Sequence, residues 1–340
     1  MNYFRPQRVR QAMNDLGRAR QPFLFAIDFE LTEGFIIENP ENSQEAFFSV
    51  WGQGKSHETP RDISLRDCQI LPSPESLESY RAKFGVVQAG LARGDSYLVN
   101  LTIKTPVECD LSLEEIFLLS DSPYRLYVPG RFVSFSPERF VKIMADGTIS
   151  TCPMKGTINA ELPDAERVIL DDFKESAEHA TVVDLLRNDL SLSATKVRVS
   201  RYRYIDRLKT SQREILQVSS DIRGQLGSDF HGRLGDVILN MLPAGSVSGA
   251  PKGSTLEIIS RAEREPRGYY AGVFGYYDGL ELDSGVLIRF IEEENGQKYF
   301  RSGGGITAYS SLTDEYEEAL EKIYLPFSRQ PDKIAKPTAA

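Results

Sequence analysis

One lysine is the residue best suited to act as a nucleophile. Lys155 lies in Pro153-Met-Lys-Gly-Thr157, between a run of β-forming residues and an acidic helix. A lysine amine can attack an electrophilic carbon when it is neutral. A lysine beside a proline turn is more often an exposed surface cation, and this segment alone favours that interpretation. The other polar residues of the chain must therefore be considered with it.

Two predicted helices each carry a pair of glutamates on one face. Glu175 and Glu178 are three residues apart in one helix, and Glu315 and Glu318 are three apart in another. Carboxylates from two helices can hold Mg²⁺, which binds a few of them and completes its shell with water or substrate oxygens. A solvated acidic face is the usual alternative for a single helix. Two such pairs weaken this alternative without removing it.

Two glycine-rich segments and one arginine suit the binding of an anion. Residues 243–252 precede a predicted helix, and exposed amides at such a junction attract anions, although the P-loop pattern is not matched. Gly303 and Gly305 belong to a second run, after a strand, where a carboxylate can approach the backbone closely. Arg289 is predicted inside a strand, and either a substrate carboxylate or a structural salt bridge would satisfy it. These residues together predict a Mg²⁺-dependent site for a small anion, with an amine nucleophile.

Strands and helices are mixed along the chain without strict alternation, which predicts an α+β fold with antiparallel sheets. The last three strands are interpreted as one meander, and Thr313 as the N-cap of the closing helix. Strands are predicted over 24–37, 46–51, 97–105, 124–128, 132–136, 140–145, 197–204, 216–224, 271–277, 285–292 and 298–303, and helices over 77–93, 113–120, 171–187, 234–242, 254–263 and 314–325.

The composition excludes several classes of protein. Hydrophobic residues make up 41% and charged residues 26% of the 340 residues, as in globular proteins. No apolar stretch approaches the about 18 residues of a membrane span, and no signal peptide is visible, so we expect a cytoplasmic protein without a membrane partner. A net charge of -9 argues against nucleic-acid binding. The three cysteines, Cys68, Cys109 and Cys152, form no CxxC pair, which argues against disulfides and zinc.

Several longer segments resemble the chorismate-utilising enzyme family, which includes anthranilate, aminodeoxychorismate, isochorismate and salicylate synthases. The resemblance covers 76–325 and implies a large two-sheet antiparallel sandwich with helices outside, the chorismate-binding fold, with the site in a cleft. Its motifs are Gly94-Asp-Ser-Tyr-Leu-Val-Asn100, Ser136-Pro-Glu-Arg-Phe140, Pro153-Met-Lys-Gly-Thr157, Ala177-Glu-His-Ala-Thr-Val-Val-Asp-Leu-Leu-Arg-Asn-Asp-Leu190, residues 243–252, Arg267-Gly-Tyr-Tyr-Ala-Gly272, Ile288-Arg289, Ser302-Gly-Gly-Gly-Ile306 and Asp314-Glu-Tyr-Glu-Glu318.

The resemblance also implies roles for individual residues. Glu178 and Glu318 match the Mg²⁺ ligands, with Glu175 and Glu315 supporting them through water. Glu138 matches the general acid that protonates the departing 4-hydroxyl of chorismate. The positions that match substrate contacts are Thr157, Tyr270, Arg289, Gly303, Gly305 and Lys322.

Two positions distinguish the members of the family. Lys155 stands where aminodeoxychorismate synthases typically carry a lysine that attacks ring carbon 2, and where the other members typically carry alanine. Leu98 stands where isochorismate and salicylate synthases carry a lysine that activates water. The resemblance therefore implies an aminodeoxychorismate synthase component I, which acts in p-aminobenzoate and folate synthesis. Anthranilate synthase component I is the alternative, and a non-catalytic chorismate-binding subunit is a third possibility.

The same resemblance predicts the domains of the chain and the source of its ammonia. We expect a reduced β-rich N-terminal part over 1–75, a catalytic core over 76–328 and a frayed tail over 329–340. No glutaminase segment is recognised, so ammonia is expected from a separate glutaminase subunit. Lys155 must be neutral to attack, and burial and a nearby Mg²⁺ would each lower its pKa.

Overall fold

The computed structural model of the chain describes residues 1–55, 70–209 and 214–327. The predicted frayed tail and Cys68 lie outside these residues. The helices are α1 (Pro6–Arg18), α2 (Leu77–Ala92), α3 (Leu113–Leu119), α4 (Ala165–Asp171), α5 (Phe173–Ser191), α6 (Leu234–Asn240), α7 (Lys252–Glu263) and α8 (Leu312–Glu321). The strands are β1 (Phe23–Ile27), β2 (Gly34–Glu38), β3 (Phe47–Val50), β4 (Gln53–Lys55), β5 (Leu71–Pro72), β6 (Leu98–Glu108), β7 (Tyr124–Val128), β8 (Phe132–Ser136), β9 (Arg139–Ile143), β10 (Thr148–Thr151), β11 (Met154–Asn159), β12 (Thr195–Lys209), β13 (Glu214–Gln225), β14 (Gly249–Ala250), β15 (Val273–Tyr277), β16 (Leu282–Val286), β17 (Phe290–Glu294) and β18 (Gln297–Ile306).

The strands form two large antiparallel sheets, which confirms the predicted α+β class. Sheet I has the order β11-β13-β10-β9-β16-β15-β1-β2, with β12 also paired to β13. Sheet II has the order β14-β6-β18-β17-β8-β7-β3-β4, with β5 also paired to β6. Phe25 and Phe274 of sheet I share one buried core with Leu126 and Phe290 of sheet II. Apolar side chains from both sheets thus hold the sandwich together.

The strand predicted over 24–37 is a hairpin of β1 and β2. The Asp28 carboxylate accepts hydrogen bonds from the backbone N–H groups of Thr32 and Glu33, at 2.9 and 3.0 Å, which closes the turn. Leu31 has a left-handed φ of 57° within it. The turn contains no glycine or proline, so the usual sequence signals for a chain reversal are missing.

The meander predicted for the last three strands is wrong. β15 and β16 belong to sheet I, whereas β17 and β18 belong to sheet II. The chain crosses from one sheet to the other at 287–289, inside the single strand predicted over 285–292. Apart from Arg289, residues 286–291 are apolar, and none of them is a typical turn residue. Arg289 is therefore in the crossing, with a φ of 51°, and not inside a strand.

Two smaller predictions at the end of the chain are also wrong. Thr313 is the second residue of α8, and Ser311 occupies the N-cap position. The glycine run was expected after a strand, but it lies within β18. β18 is longer than predicted because it pairs with β6 from Lys298 to Ile306.

The N-terminal residues contribute to both sheets. β1 pairs with β15 in sheet I, and β3 pairs with β7 in sheet II. Sequence analysis does not predict α1, whose Val9, Met13 and Leu16 are buried along one face. Arg10 of α1 forms an ion pair with Asp236 of α6 at 2.5 Å. The division at residue 75 stays a prediction.

None of the described helices is long and apolar enough to cross a membrane. The location of the protein in the cell stays a prediction.

Candidate functional site

The glycine run of β18 lies at the centre of the candidate site. β18 approaches β6 so closely that a Cβ at Gly303 would lie 2.3 Å from a backbone carbonyl oxygen of that strand. A Cβ at Gly304 would lie 3.4 Å from Glu315 Oε2, and one at Gly305 would lie 3.6 Å from Lys155 Nζ. The bare backbone therefore leaves room for side chains from α8 and β11.

Lys155 lies on β11 and its amine faces the glutamates of α5. Lys155 Nζ is 3.1 Å from Oε2 of the buried Glu178. Glu175 reaches the β-bulge that follows Lys155, where its Oε2 would lie 3.3 Å from a Cβ at Gly156. Asp172 caps α5 by accepting a hydrogen bond from the Glu175 backbone N–H at 2.9 Å. The predicted amine and both predicted glutamates of α5 are therefore brought together.

The charges around Lys155 raise its pKa. Burial of the ammonium group lowers this pKa, but the carboxylates of Glu178, Glu318 and Glu175 raise it by more, so the net pKa is above its ordinary value. The lowering by burial that the sequence predicts is found, but the surrounding carboxylates outweigh it. The predicted lowering by Mg²⁺ stays a prediction.

α8 brings the second pair of glutamates to β18. Glu315 is buried at the first turn of the helix. Lys322, at the end of α8, donates hydrogen bonds to Glu318 Oε1 at 2.7 Å and to the Gly303 carbonyl oxygen at 2.8 Å. Burial lowers the pKa of Lys322, against the opposing influence of Glu318. Lys322 thus ties the helix to the glycine strand.

The glutamates of α5 and α8 offer the hard oxygen ligands that Mg²⁺ prefers. Glu315 and Glu318 border the glycine run, and Glu175 borders Gly156 of β11. Of the two predicted ligands, Glu178 is buried, whereas the Glu318 side chain is 47% exposed. In the part of the chain that the structure describes, no three acidic, histidine or cysteine side chains converge closely enough to hold one ion. Lys155 and Lys322 instead pair with one glutamate each. The donor set therefore fits Mg²⁺ in its chemistry, and the cation would have to compete with these two amines.

Glu138 lies in the short connection between β8 and β9. Its carboxylate accepts a hydrogen bond from the Ser246 hydroxyl, and its backbone carbonyl accepts one from the Val286 N–H at 3.1 Å. Burial raises the pKa of Glu138, and Ser246 with the cations Lys155 and Arg289 only partly offsets this. A carboxyl that keeps its proton to higher pH suits the predicted general acid.

The glycine-rich run over 243–252 is only partly exposed, and its predicted binding of an anion stays a prediction. Most of its residues are buried, as a 3-10 turn (Gly245–Val247) and as β14, which pairs with β6. Lys252 is engaged with Asp189, at 2.8 Å between Nζ and Oδ1. Sequence reasoning did not single out Ser246, and its position within this run was the only signal.

Arg289 is half-buried and makes no ion pair with any described residue. Its guanidinium carbon lies 5.5 Å from the centre of the Tyr324 ring, and its Nε is 3.5 Å from the Tyr324 hydroxyl. Sequence analysis left a substrate carboxylate and a structural salt bridge open. Because a cation in a site needs an anionic partner, this arrangement favours the substrate carboxylate.

Two of the predicted substrate contacts, Tyr270 and Thr157, have no described contact with Lys155 or the four glutamates. Tyr270 is buried beside the aromatic ring of Phe290, and burial raises its pKa to about 12, so its hydroxyl stays neutral. Thr157 is exposed on β11 and pairs with Gln217 of β13 beyond the bulge. Their predicted contacts with substrate stay predictions.

His179 follows a predicted metal ligand but serves the packing of α5. Its side chain is buried, and its Nε2 is 2.7 Å from the Ser220 hydroxyl of β13. Burial lowers the pKa of His179 to about 4, with smaller contributions from Arg203 and Lys155. The ring is therefore neutral at physiological pH and joins the helix to sheet I.

The sequence profile of chorismate binding enzymes matches residues 30–327. The chain belongs to this family. A protein of Haemophilus influenzae, described as an uncharacterized PabA-like protein, is 48% identical over 92% of this chain and 94% of its own length. The aminodeoxychorismate synthase component 1 of Salmonella typhimurium is 32% identical over 72% of this chain.

A solved structure of the family has the same fold. The anthranilate synthase component I of Streptococcus pneumoniae superimposes with a TM-score of 0.63, at 26% identity over 77% of this chain. This chain covers 60% of that structure and 56% of the Salmonella protein, so it spans little more than half of each. The resemblance to the family and the predicted chorismate-binding fold are both confirmed.

Proposed function

We propose that this chorismate-binding enzyme is an aminodeoxychorismate synthase component I, which converts chorismate and ammonia to 4-amino-4-deoxychorismate for p-aminobenzoate and folate synthesis. The observation that supports this best is the position of Lys155. Its side chain is half-buried, and its Nζ lies 3.1 Å from buried Glu178 and faces the glycine run. An amine in this position can form a covalent bond to the ring, which an alanine cannot.

Chorismate would bind to the Arg289 guanidinium and to the glycine run of β18. Arg289 lacks an acidic partner among the described residues and is available to a carboxylate of chorismate. The backbone of Gly303 and Gly305 lets the ligand approach β18 closely. Mg²⁺, held by Glu178 and Glu318 with support from their neighbours, would supply positive charge for the ring carboxylate and would offset the charges that keep Lys155 protonated.

The chemistry proceeds in two displacements. Glu138 gives its proton to the 4-hydroxyl of chorismate, Lys155 Nζ bonds to ring carbon 2, both double bonds of the ring diene shift by one position and water leaves. Ammonia then bonds to carbon 4, both double bonds shift back and the Lys155 amine is released. Lys155 must lose its proton before the first step, and Glu138 must keep its own, so the opposite protonation states of these two residues are required.

We further propose that ammonia comes from a separate glutaminase subunit, since the Salmonella relative is named as one component of its enzyme. Anthranilate synthase component I is the second candidate, because the S. pneumoniae structure is of that activity. Leu98, which is buried next to Gly305, disfavours a third chemistry, attack by water, because it offers no base there.

Product analysis separates the two candidates. The purified chain is incubated with chorismate, Mg²⁺ and ammonium, and the products are identified by mass spectrometry. We expect an aminated product that retains the enolpyruvyl group, and no pyruvate. Pyruvate formed in step with fluorescent anthranilate would overturn the proposal while leaving the family and the fold unchanged.

A further inference from the structure

A serine outside the predicted set contacts the proposed proton donor. Ser246 lies in the 3-10 turn Gly245–Val247, and its hydroxyl donates to Glu138 Oε1. Among the described residues, Ser246 is the one that donates a hydrogen bond to the Glu138 carboxylate. Three cations act on the same carboxylate from other elements: Lys155 of β11, Arg289 of the sheet crossing and Lys322 at the end of α8. A flexible carboxylate would be drawn toward them, so the serine bond determines its direction.

The turn that carries Ser246 is itself fixed from two sides. A Cβ at Gly245 would lie 2.8 Å from Asp189 Oδ2, so the turn packs directly on the side chain of Asp189 near the end of α5. Lys252 holds Asp189 through Oδ1 at 2.8 Å. On the other side, the buried Arg267 donates to the Val247 carbonyl oxygen at 2.8 Å.

We propose that Ser246 is a positioning residue for Glu138, and that Asp189, by packing against Gly245, holds the turn that carries Ser246 in place. This inference rests on the proposed role of Glu138 as the general acid. The helix α5 would then serve both halves of the chemistry, with Glu175 and Glu178 near its start and Asp189 near its end. Ser246 exchanges no bond with the substrate. It holds the carboxyl in the direction from which the proton is delivered.

The proposal has a signature in pH. A hydroxyl that donates to a carboxylate stabilises the charged form and lowers the pKa. Removing the Ser246 hydroxyl therefore raises the pKa of Glu138, and the acid stays protonated to higher pH. The limb of the kcat/KM profile that follows the titration of Glu138 should move to higher pH, while the maximal rate falls because the carboxyl is no longer oriented. Loss of stability alone would lower the rate at every pH without moving this limb.

The experiment compares Ser246→Ala and Ser246→Thr with Ser248→Ala. Ser248 lies just after the same turn, but its hydroxyl donates to the Ala244 carbonyl oxygen at 2.9 Å. We measure chorismate consumption across pH at a constant concentration of free ammonia. Ser246→Ala should lose about tenfold or more in kcat, as for a hydrogen bond to a charged group, with the limb that follows Glu138 moved to higher pH. Ser246→Thr should restore the wild-type kcat and the wild-type pH of this limb. Ser248→Ala should leave the pH of the limb unchanged. An unmoved limb in Ser246→Ala, or no rescue by threonine, would contradict the proposal.

Gly245→Ala tests the role of Asp189. The added methyl group meets Asp189 and Leu185, each at 2.8 Å, and must displace the turn. We expect the same upward movement of the limb as in Ser246→Ala. A normal limb in this variant would show that Asp189 does not seat the turn.

The proposed function and this inference can fail separately. The assay follows chorismate, so a wild type that makes anthranilate refutes the proposed function and leaves the test of Ser246 intact. If the wild type consumes no chorismate, the pKa of Glu138 is measured by NMR with ¹³C-labelled glutamate, and the signal is assigned with Glu138→Gln. A higher pKa in Ser246→Ala supports the contact, and an unchanged pKa refutes it.

Discussion

Lys155 and Lys322 each neutralise one glutamate that the sequence predicts as a metal ligand. Lys155 is 3.1 Å from Glu178, and Lys322 is 2.7 Å from Glu318. Both contacts are short. The Glu178 side chain is only 6% exposed, so its pair interacts more strongly than a pair at the surface, whereas the Glu318 side chain is 47% exposed. A divalent cation that bound the two glutamates would take over this role and free the amines. Metal binding and the availability of the Lys155 amine should therefore be linked.

Glu178→Gln and Glu318→Gln should each weaken Mg²⁺ binding and nearly abolish turnover. Changes to the outer partners of metal ligands already cost about 10–100-fold in affinity or activity, so the loss of a ligand should cost at least as much. Isothermal titration calorimetry measures Mg²⁺ binding directly, and activity is followed against Mg²⁺ concentration. Glu317→Gln is the matched control, because Glu317 is exposed on the same helix. Normal Mg²⁺ dependence in either ligand variant would show that the residue is not a ligand.

At the scale of elements, the pairing of β18 with β6 depends on a single missing side chain. A Cβ at Gly303 would lie 2.3 Å from the Leu101 carbonyl oxygen and 2.8 Å from the Thr102 Cα, and both atoms belong to the backbone of β6. Neither can move without breaking the ladder between the two strands. At Gly304 the nearest atom would be 3.4 Å away, at the end of the Glu315 side chain.

Gly303→Ala should therefore destabilise the fold, whereas Gly304→Ala should not. We expect the first variant to lose about 1–3 kcal/mol of unfolding free energy, as for overpacked sites, measured by urea denaturation. The second should unfold like the wild type but lose activity, because its methyl group lies beside the glutamates of α8. Equal stability of Gly303→Ala and the wild type would mean that the two strands are not packed as described.

Elements with local signals could be predicted from the sequence. The helix predicted over 77–93 is found as α2, and Ser76 caps it by accepting a hydrogen bond from the Ser79 N–H at 3.2 Å. The acidic helix over 171–187 is found as α5, with Asp172 as its cap. In both cases the cap and the first turn are neighbours in sequence, so the signal is contained in a few residues.

Features that depend on distant contacts could not be predicted. The crossing at 287–289 lies in an apolar run that is buried by both sheets, and periodicity does not show which sheet a strand joins. The bond from Ser246 to Glu138 joins residues 108 positions apart. The raised pKa of Lys155 likewise depends on α5 and α8, whose charges reach it only in the folded chain.

At the scale of the whole molecule, the site is assembled from both sheets. Lys155 is on sheet I, the glycine run is on sheet II, and the glutamates come from α5 and α8. The three-residue spacing within each helix predicted that the two glutamates of a pair share one face, but it did not relate one pair to the other. Only the resemblance to the chorismate-utilising enzymes predicted that they would meet. In the fold, the α5 pair lies against β11 and the α8 pair against β18. The roles of these residues in catalysis stay predictions until they are measured.

The covalent role of Lys155 is tested most directly by the intact mass of the protein. The wild-type chain is incubated with chorismate and Mg²⁺ without ammonia, and the reaction is quenched with acid. Lys155→Ala is treated in parallel, and Lys83→Ala, which removes a partly buried lysine paired with Glu75, is the control. We predict a mass increase of one chorismate less one water in the wild type and in Lys83→Ala, mapped to Lys155 by peptide analysis, and none in Lys155→Ala. An unmodified wild type that releases pyruvate and an aromatic amine once ammonium is added would contradict the account.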